Sequence, residues 1–372
     1  MRIADIAAEA SAATRGSQEL LRARAGLDAI NAEVRRIHDN ALADRSKEIY
    51  RRCAAHFLVH LHSTDRAKLS DAFLGVVSRK LGGDVPLTVS CVMEILSADV
   101  DYAASEFPLN ESFGVDDYER YLTGLRVRKT GKPLEPSTLN SNRSSLTYLF
   151  KRYNKRLPDT FEARLRNYMR GQKRESAKRK QDGIGKVHEG KQLLRFSMYR
   201  DLAKRLMLEG TRESLFAHTF LTISWNLMCR ASNAERICFS HFQWFDDAMG
   251  LFFSQMKNDQ EGNRPKDARH IYANPVIPEI CPFLSLGLYF LCFSFSAESS
   301  KLFPGGNQYD RYSKALKRTL RSSAQEFERT FGISVEELGT HSIRKGAASF
   351  CASGSTCCPP IVAIILRAGW TM

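Results

Sequence analysis

The feature that most constrains the fold is a strongly basic stretch near the middle of the chain, KRESAKRKQDGIGK, at residues 173–186. It contains almost no apolar residue, so it cannot contribute to a hydrophobic core, and it separates two regions of different hydrophobic pattern. At 372 residues the chain exceeds the size at which one core usually keeps growing. We therefore predict a helical arm or tail over 1–40, a domain over 41–172, a basic linker over 173–190 and a second domain over 191–372.

The region before the basic stretch is helical in its periodicity. From residue 42 onward, apolar side chains such as Phe57, Leu58 and Leu61 recur at helical spacing, which predicts an amphipathic helix. Further helices are predicted over 87–96, 116–125 and 137–153. Because no strand pattern interrupts them, we expect this domain to be all-helical.

The region after the basic stretch has a mixed pattern. Two strand-like segments, at 250–256 and 270–276, are separated by a polar loop and predict a small sheet. Helices are predicted over 215–229, 284–295 and 312–331, and two more at the C-terminal end. The expected fold class is α+β, an all-helical N-terminal domain followed by a mostly helical domain with a small antiparallel sheet.

The net charge indicates the kind of binding partner, and the cysteine content indicates the redox environment. Lys and Arg outnumber Asp and Glu by 55 to 41, a formal charge of +14 that favours a polyanionic partner or, alternatively, a basic soluble protein without specific contacts. The nine cysteines are too scattered for a disulfide scaffold, so we expect a reducing, intracellular environment. Cys357 and Cys358 lack further ligands at zinc-site spacing, and no metal site is predicted. The longest apolar run, 282–295, is too short for a membrane span.

Four segments carry candidate chemistry. THSIRKG places His341 and Arg344 on one helix face at i, i+3 spacing, and ILRAGW follows with Trp370. WNLMCRASNAERICF supplies Arg230 between an apolar helix and a strand-like segment, and GLFFSQMKNDQEG supplies Lys257 where a strand ends. In order and spacing, these segments resemble the HxxR box and associated motifs of the tyrosine recombinases, or phage integrases, and look like those of a eukaryotic mobile-element-like member.

The resemblance implies a role for each of these residues. Arg230 and Arg344 would bind the scissile phosphate, Lys257 would donate a proton to the leaving 5′ hydroxyl, His341 would assist proton transfer, and Trp370 would contact the phosphate. Each guanidinium group can bind phosphate oxygens through two hydrogen bonds, whereas an ammonium or an imidazole is the better proton donor. Lys266 and Arg269 compete with Lys257 for its assignment, since all three follow the same strand-like segment.

The sequence departs from the family in two places. The nucleophilic tyrosine is expected roughly nine residues after the His or Trp position, but the sequence ends at Met372, which implies a fragment or a decayed copy. Tyr309 and Tyr312 precede the HxxR box and are too early to replace it. Asn233 stands where a carboxylate is common, which removes one group that would orient Arg230.

The resemblance implies site-specific recombination or integration of double-stranded DNA through a 3′-phosphotyrosyl intermediate, without metal or small-molecule cofactor. Self-association on DNA stays open, and the location would be the nucleus in a eukaryote. A non-catalytic DNA-binding protein derived from a recombinase is the alternative, and an RNA-binding or chromatin protein with a coincidental HxxR is a third. The candidate DNA-binding residues are Arg126, Arg128, Lys129, Arg143, Lys151, Arg152, Lys173, Arg174, Lys178, Arg179 and Lys180.

Overall fold

The chain divides into two compact units, unit 1 from Met1 to Val187 and unit 2 from His188 to Met372. The computed structural model describes residues 24, 26–34, 36–82, 85–97, 107–184, 190–253, 261, 267–295, 300–354 and 359–370. Within the arm predicted over 1–40, residues 26–34 and 36–39 are helical and exposed. Among the described residues, no helix combines the length and the apolar character that crossing a bilayer requires.

Among the described residues of unit 1, the regular elements are all helices. Its helices are α1 Asp44–Thr64, α2 Asp71–Leu81, α3 Val89–Ser97, α4 Val115–Gly124, α5 Pro136–Arg152 and α6 Asp159–Gln181. Helix α1 packs against α3 and α5, and α6 packs against α4 and α5. The apolar stripe of α1 is buried as predicted, and the Phe57 ring lies edge-on to Tyr118 with ring centroids 4.7 Å apart. The buried Tyr118 hydroxyl donates to the Asn142 carbonyl at 2.6 Å, which ties α4 to α5.

Two helices of unit 1 are absent from the sequence prediction, α2 and α6. Residues 173–181, which we predicted as the first part of the linker, instead continue α6. The first half of α6 buries Leu165 and Met169 against the unit core, and packing of this kind lets a helix extend into a following segment of good helix formers. Lys, Arg, Glu, Ala and Gln are such residues, so a stretch without apolar side chains is not for that reason irregular.

Unit 2 contains eight further helices and a sheet among its described residues. The elements are α7 Phe196–Glu209, α8 Arg212–Asn226, α9 Ala231–Ala234, β1 Phe242–Phe245, β2 Ala248–Leu251, β3 Arg269–Ile271, α10 Pro282–Cys292, α11 Gln308–Ser322, α12 Ala324–Phe331, α13 Thr340–Ser349 and α14 Ile361–Ala368. The three strands lie in the order β1-β2-β3 and pair antiparallel, with Gly250 opposite Gln243 and His270. The predicted fold class, helical with a small antiparallel sheet, is confirmed.

The core of unit 2 surrounds α8. This helix is buried on all sides from Ser214 to Trp225 and packs against α7, α10, α11 and α13. Its position explains why the sequence shows an apolar helix without a polar face. The C-terminal end of α8 is thereby fixed inside the unit, directly before the turn that carries Arg230.

The predicted helix over 312–331 is two helices, α11 and α12, with a break at Ser323. The hydroxyls of Ser322 and Ser323 both donate to the Thr319 carbonyl, at 2.9 and 3.2 Å. Serine side chains that bond the backbone in this way compete with the helical hydrogen bonds. The sequence prediction missed the break because the apolar spacing continues across it.

Candidate functional site

Arg230 lies at the end of a tight turn that leaves α8. Met228 within the turn has a left-handed backbone with φ of 48°, and Arg230 is the residue before the short helix α9. The Arg230 carbonyl accepts hydrogen bonds from the backbone N–H groups of Asn233 and Ala234, at 2.8 and 3.1 Å. These bonds fix the backbone of Arg230, whose side chain is half-buried.

Arg344 lies in the middle of α13 and is only 9% exposed. Its Nη2 donates to the carbonyl of Ala368 at the end of α14, and its guanidinium carbon lies 5.2 Å from the centre of the Trp370 ring. Among the described residues, its buried Nε has no hydrogen-bond partner. A buried donor without a partner costs free energy, and a ligand oxygen at this position would remove that cost.

The two arginines predicted to bind one phosphate lie in a common electrostatic environment. Burial, together with the positive charges of Arg230 and Arg269, lowers the pKa of Arg344 to about 10. Burial also lowers the pKa of Arg230. Like charges held close together in a poorly solvated place repel each other, and an anion between them would offset that repulsion.

Arg269, the first residue of β3, is a third cation of this cluster. Its side chain is buried, its Nη1 donates to the Leu227 carbonyl at 3.0 Å, and its guanidinium lies 4.7 Å from the centre of the Phe253 ring. Burial and the charges of Arg367 and Arg230 lower its pKa to about 10. The sequence pointed to Arg269 only as a competitor of Lys257. The signal was its alternation with the buried Ile271, since residues i and i+2 of a strand share a face.

Arg367, in the motif ILRAGW, is a fourth cation and was missed by the sequence prediction. Its Nη2 donates to the carbonyls of Asn226 and His270 at 2.7 and 2.8 Å, and burial lowers its pKa. The motif drew attention to Trp370, but the helix end places Arg367 against α8 and β3. No spacing rule identifies that contact, because its three elements are far apart in the chain.

The buried thiol of Cys229 lies within the same group of charges. Burial raises its pKa to about 11, so the thiol is neutral at physiological pH and supplies no negative charge. Within the described residues, no ion pair engages Arg230 or Arg344. The cluster therefore has the charge of an anion site.

His341 lies one turn before Arg344 on α13 but is exposed. It lines a cleft of about 230 Å³ together with Tyr309 and Lys191. Its Nδ1 lies 3.5 Å from Thr340 Oγ1, which in turn lies 3.1 Å from the Tyr309 hydroxyl. In the described part of the chain, no hydrogen bond or ion pair joins His341 to Arg230 or Arg344.

Two further residues were predicted to be catalytic, Trp370 and Lys257. Trp370 is 37% exposed and places its ring beside Arg344. Lys257 lies outside the described residues. Helix α13 begins at Thr340; the preceding Gly339 is its N-cap residue, and the Gly339 N–H donates to Ser342 Oγ at 3.0 Å. Tyr312 is completely buried, and burial raises its pKa well above the usual value, which is unfavourable for a nucleophile.

The predicted DNA-binding residues of unit 1 lie in three places. The exposed residues Arg126, Arg128 and Lys129 follow α4 in a turn, where Arg126 donates to the carbonyls of Thr123 and Leu125 at 2.6 and 2.9 Å. The others lie on α5 and on the second half of α6. Lys151, Lys173, Arg174 and Lys178 are exposed, and Arg143, Arg152, Arg179 and Lys180 are half-buried.

Charge pairing differs along α6. In the first half, Arg164 pairs with Asp116 and Glu119 at 2.6 and 2.8 Å, and Arg166 pairs with Glu162 at 3.2 Å. In the second half, no ion pair with a described residue engages Lys173, Arg174 or Lys178. The second half of α6 therefore presents positive charge to its surroundings.

The chain matches no protein-family model and no curated protein sequence. It is similar in structure to several tyrosine recombinases. XerH site-specific recombinase bound to its difH substrate aligns with a TM-score of 0.46 and 11% sequence identity, over 89% of this chain and 91% of that chain. The Tn1549 transposon integrase in complex with circular intermediate DNA gives a TM-score of 0.43 and 13% identity, over 87% of this chain and 92% of that one. A Flpe complex with a DNA Holliday junction gives a TM-score of 0.36 and 11% identity, over 66% of this chain and 60% of that one.

Proposed function

We propose that this chain acts on double-stranded DNA as a tyrosine recombinase or integrase, and that unit 2 binds one backbone phosphate between Arg230 and Arg344. The observation that carries the proposal is the buried Arg344, whose Nε has no described partner and whose pKa is lowered by burial and by the nearby Arg230. Such an arrangement is unfavourable in the free protein. A phosphodiester, whose negative charge is shared by two non-bridging oxygens, would satisfy the donor and offset part of the positive charge.

The reaction would proceed by transfer of the phosphoryl group. A tyrosine hydroxyl gives up its proton to a base and its oxygen attacks phosphorus, the bond to the 5′ oxygen breaks, and that oxygen takes up a proton from Lys257; His341 assists these proton transfers. The two arginines stabilise the charge that builds up on the non-bridging oxygens. Rejoining is the reverse of these steps, so no bond energy is lost and no nucleotide cofactor is consumed.

The proposed function is tested by the affinity for duplex DNA, measured by fluorescence anisotropy at two salt concentrations. Arg344→Gln and Arg230→Gln are each expected to weaken binding about tenfold or more, because each removes a charge-assisted interaction with a phosphate. The double variant should be little weaker than either single variant, since the two side chains serve one ligand.

Arg205→Gln is the matched control in unit 2. Arg205 is paired with Asp201 and Glu326 at 2.7 and 3.1 Å, so its replacement should leave DNA affinity unchanged. Equal affinities of the wild type and Arg344→Gln would contradict the proposal. Covalent capture of the protein on nicked duplex DNA then distinguishes the two candidate functions. A covalent complex supports the recombinase, and its absence supports the non-catalytic DNA-binding protein.

A further inference from the structure

The C-terminal end of α8 is capped by side chains from two distant elements. The last carbonyls of a helix have no partner within it and must be satisfied by other groups. The Asn226 carbonyl accepts from Arg367, at 2.7 Å from Nη2 and 3.3 Å from Nε. The next carbonyl, that of Leu227, accepts from Arg269 Nη1 at 3.0 Å. Two adjacent carbonyls are thus each bound by a guanidinium, that of the half-buried Arg367 and that of the buried Arg269.

The capped residues open the turn that ends at Arg230. The N–H groups of Leu227, Met228 and Cys229 donate back to α8 carbonyls at 3.0, 3.1 and 3.2 Å. Met228 has a left-handed backbone, which costs a residue other than glycine about 1 kcal/mol. The turn is therefore held on its N–H side by α8 and on its carbonyl side by the two arginines.

Arg367 also connects this turn to the other elements of the site. Its Nη2 donates to the His270 carbonyl of β3 at 2.8 Å, while the adjacent Ala368 carbonyl accepts from Arg344. The elements that carry Arg230, Arg269 and Arg344 thus meet at the end of α14. A change at this meeting point alters the relative positions of the cations.

We propose that Arg269 and Arg367 are positioning residues that clamp the Asn226–Leu227 carbonyls and so fix the place of Arg230 in the anion site. This inference rests on the proposed function, in which Arg230 binds a DNA phosphate. The alternative is that both arginines contact the phosphate themselves. The hydrogen bonds to carbonyls favour the clamp, because those donors are directed at protein backbone.

A double-mutant cycle on duplex DNA affinity distinguishes the clamp from a direct contact. Arg367→Met is expected to weaken binding about fivefold in the wild-type background and less than about twofold in the Arg230→Gln background, since it acts through Arg230. Arg269→Met should behave in the same way. Arg367→Lys keeps an ammonium that can donate to a carbonyl, so it should recover part of the affinity. Equal reductions in both backgrounds would overturn the clamp.

Amide hydrogen exchange tests the clamp without DNA. The N–H groups of Met228 and Cys229 should exchange at least about tenfold faster in Arg367→Met than in the wild type, because the turn opens more readily, and Arg367→Lys should give a smaller increase. Arg200→Met is the control, since Arg200 is half-exposed and pairs with Glu279 elsewhere in unit 2. Unchanged exchange in the Arg367 variants would overturn the clamp. A normal DNA affinity of Arg230→Gln, with faster exchange in the Arg367 variants, would overturn the proposed function alone.

Discussion

Under the proposed function, Arg344 would favour phosphate binding at the expense of the free protein. Its guanidinium is buried beside Arg230 and Arg269, and no described carboxylate pairs with it. Arg344 and Arg230 were selected because their segments resemble family motifs, and helical spacing by itself placed only His341 and Arg344 on one face. The places of Arg269 and Arg367 could not be predicted in this way, since they depend on contacts between β3, α14 and α8.

Arg344→Met is expected to raise the free energy of unfolding of unit 2 by about 1 kcal/mol, although it weakens DNA binding. Burial lowers the pKa of Arg344 to about 10. At about 1.4 kcal/mol for each pKa unit, the buried charge costs about 3 kcal/mol of stability, which the substitution removes. The loss of the interactions with Ala368 and Trp370 offsets part of this gain. Urea unfolding measures the change. Arg321→Met, at an exposed pair with Glu336, should change stability by less than about 0.5 kcal/mol. A decrease of more than about 2 kcal/mol in Arg344→Met would show that the guanidinium is structural.

His218 predicts a pH dependence of stability. It is fully buried in α8, with Nε2 at 2.7 Å from the Glu279 carbonyl and Nδ1 at 3.1 Å from Ser285 Oγ, and burial lowers its pKa. Below the ordinary pKa of histidine, the unfolded chain takes up a proton that the folded chain does not, so stability falls as pH falls. His218→Gln keeps a donor for Glu279 and should reduce this slope between pH 7 and 5. Identical slopes in urea titrations of the two proteins would contradict the assignment.

At the scale of elements, the position of α13 depends on a close approach to the backbone just before α7. The Leu194 N–H donates to the Ser342 carbonyl at 3.0 Å, and Lys345 Nζ donates to the Lys191 carbonyl at 2.8 Å. Helix α1 was predictable because its apolar spacing is regular, and α8 because its segment is largely apolar. Helix α6 was not, because packing of its first half extends a segment that has no apolar pattern of its own.

Gly346→Ala is expected to destabilise unit 2 by about 2 kcal/mol or more. A Cβ at Gly346 would lie 1.8 Å from the Leu194 carbonyl oxygen, so α13 would have to move away from that backbone. Gly287→Ala in α10 is the control, because nothing lies within 4 Å of its added Cβ. That exposed helical position should gain about 0.5 to 1 kcal/mol. Thermal unfolding of the two variants compares them, and equal midpoints would contradict the close approach.

At the scale of the whole molecule, we expect the two units to contribute differently to DNA binding. The exposed cations on the second half of α6 would supply affinity without sequence preference, whereas the buried cluster of unit 2 would hold one phosphate. The excess charge and the fold class were predictable from the sequence. The neutralisation of Arg164 on the first half of α6 was not, because its pairing with Asp116 and Glu119 depends on the packing of α4.

Replacing Lys173, Arg174 and Lys178 together by Gln is expected to reduce the salt dependence of DNA affinity. The slope of log affinity against log salt should fall by about 0.9 for each DNA phosphate that the variant no longer neutralises. The control replaces Arg164 and Arg166 by Gln on the same helix, where acidic partners already neutralise both charges. Equal changes of slope in the two variants would mean that the second half of α6 has no special role.

The sharing of one anion by Arg230 and Arg344 underlies every role proposed for unit 2. A crystal structure of the protein with tungstate, a phosphate analogue that scatters strongly, tests this sharing. We expect one tungstate bound by both guanidinium groups, with an oxygen at hydrogen-bond distance from Arg344 Nε. Tungstate bound to only one of the two arginines, or a guanidinium pair that stays empty at saturating tungstate, would contradict it.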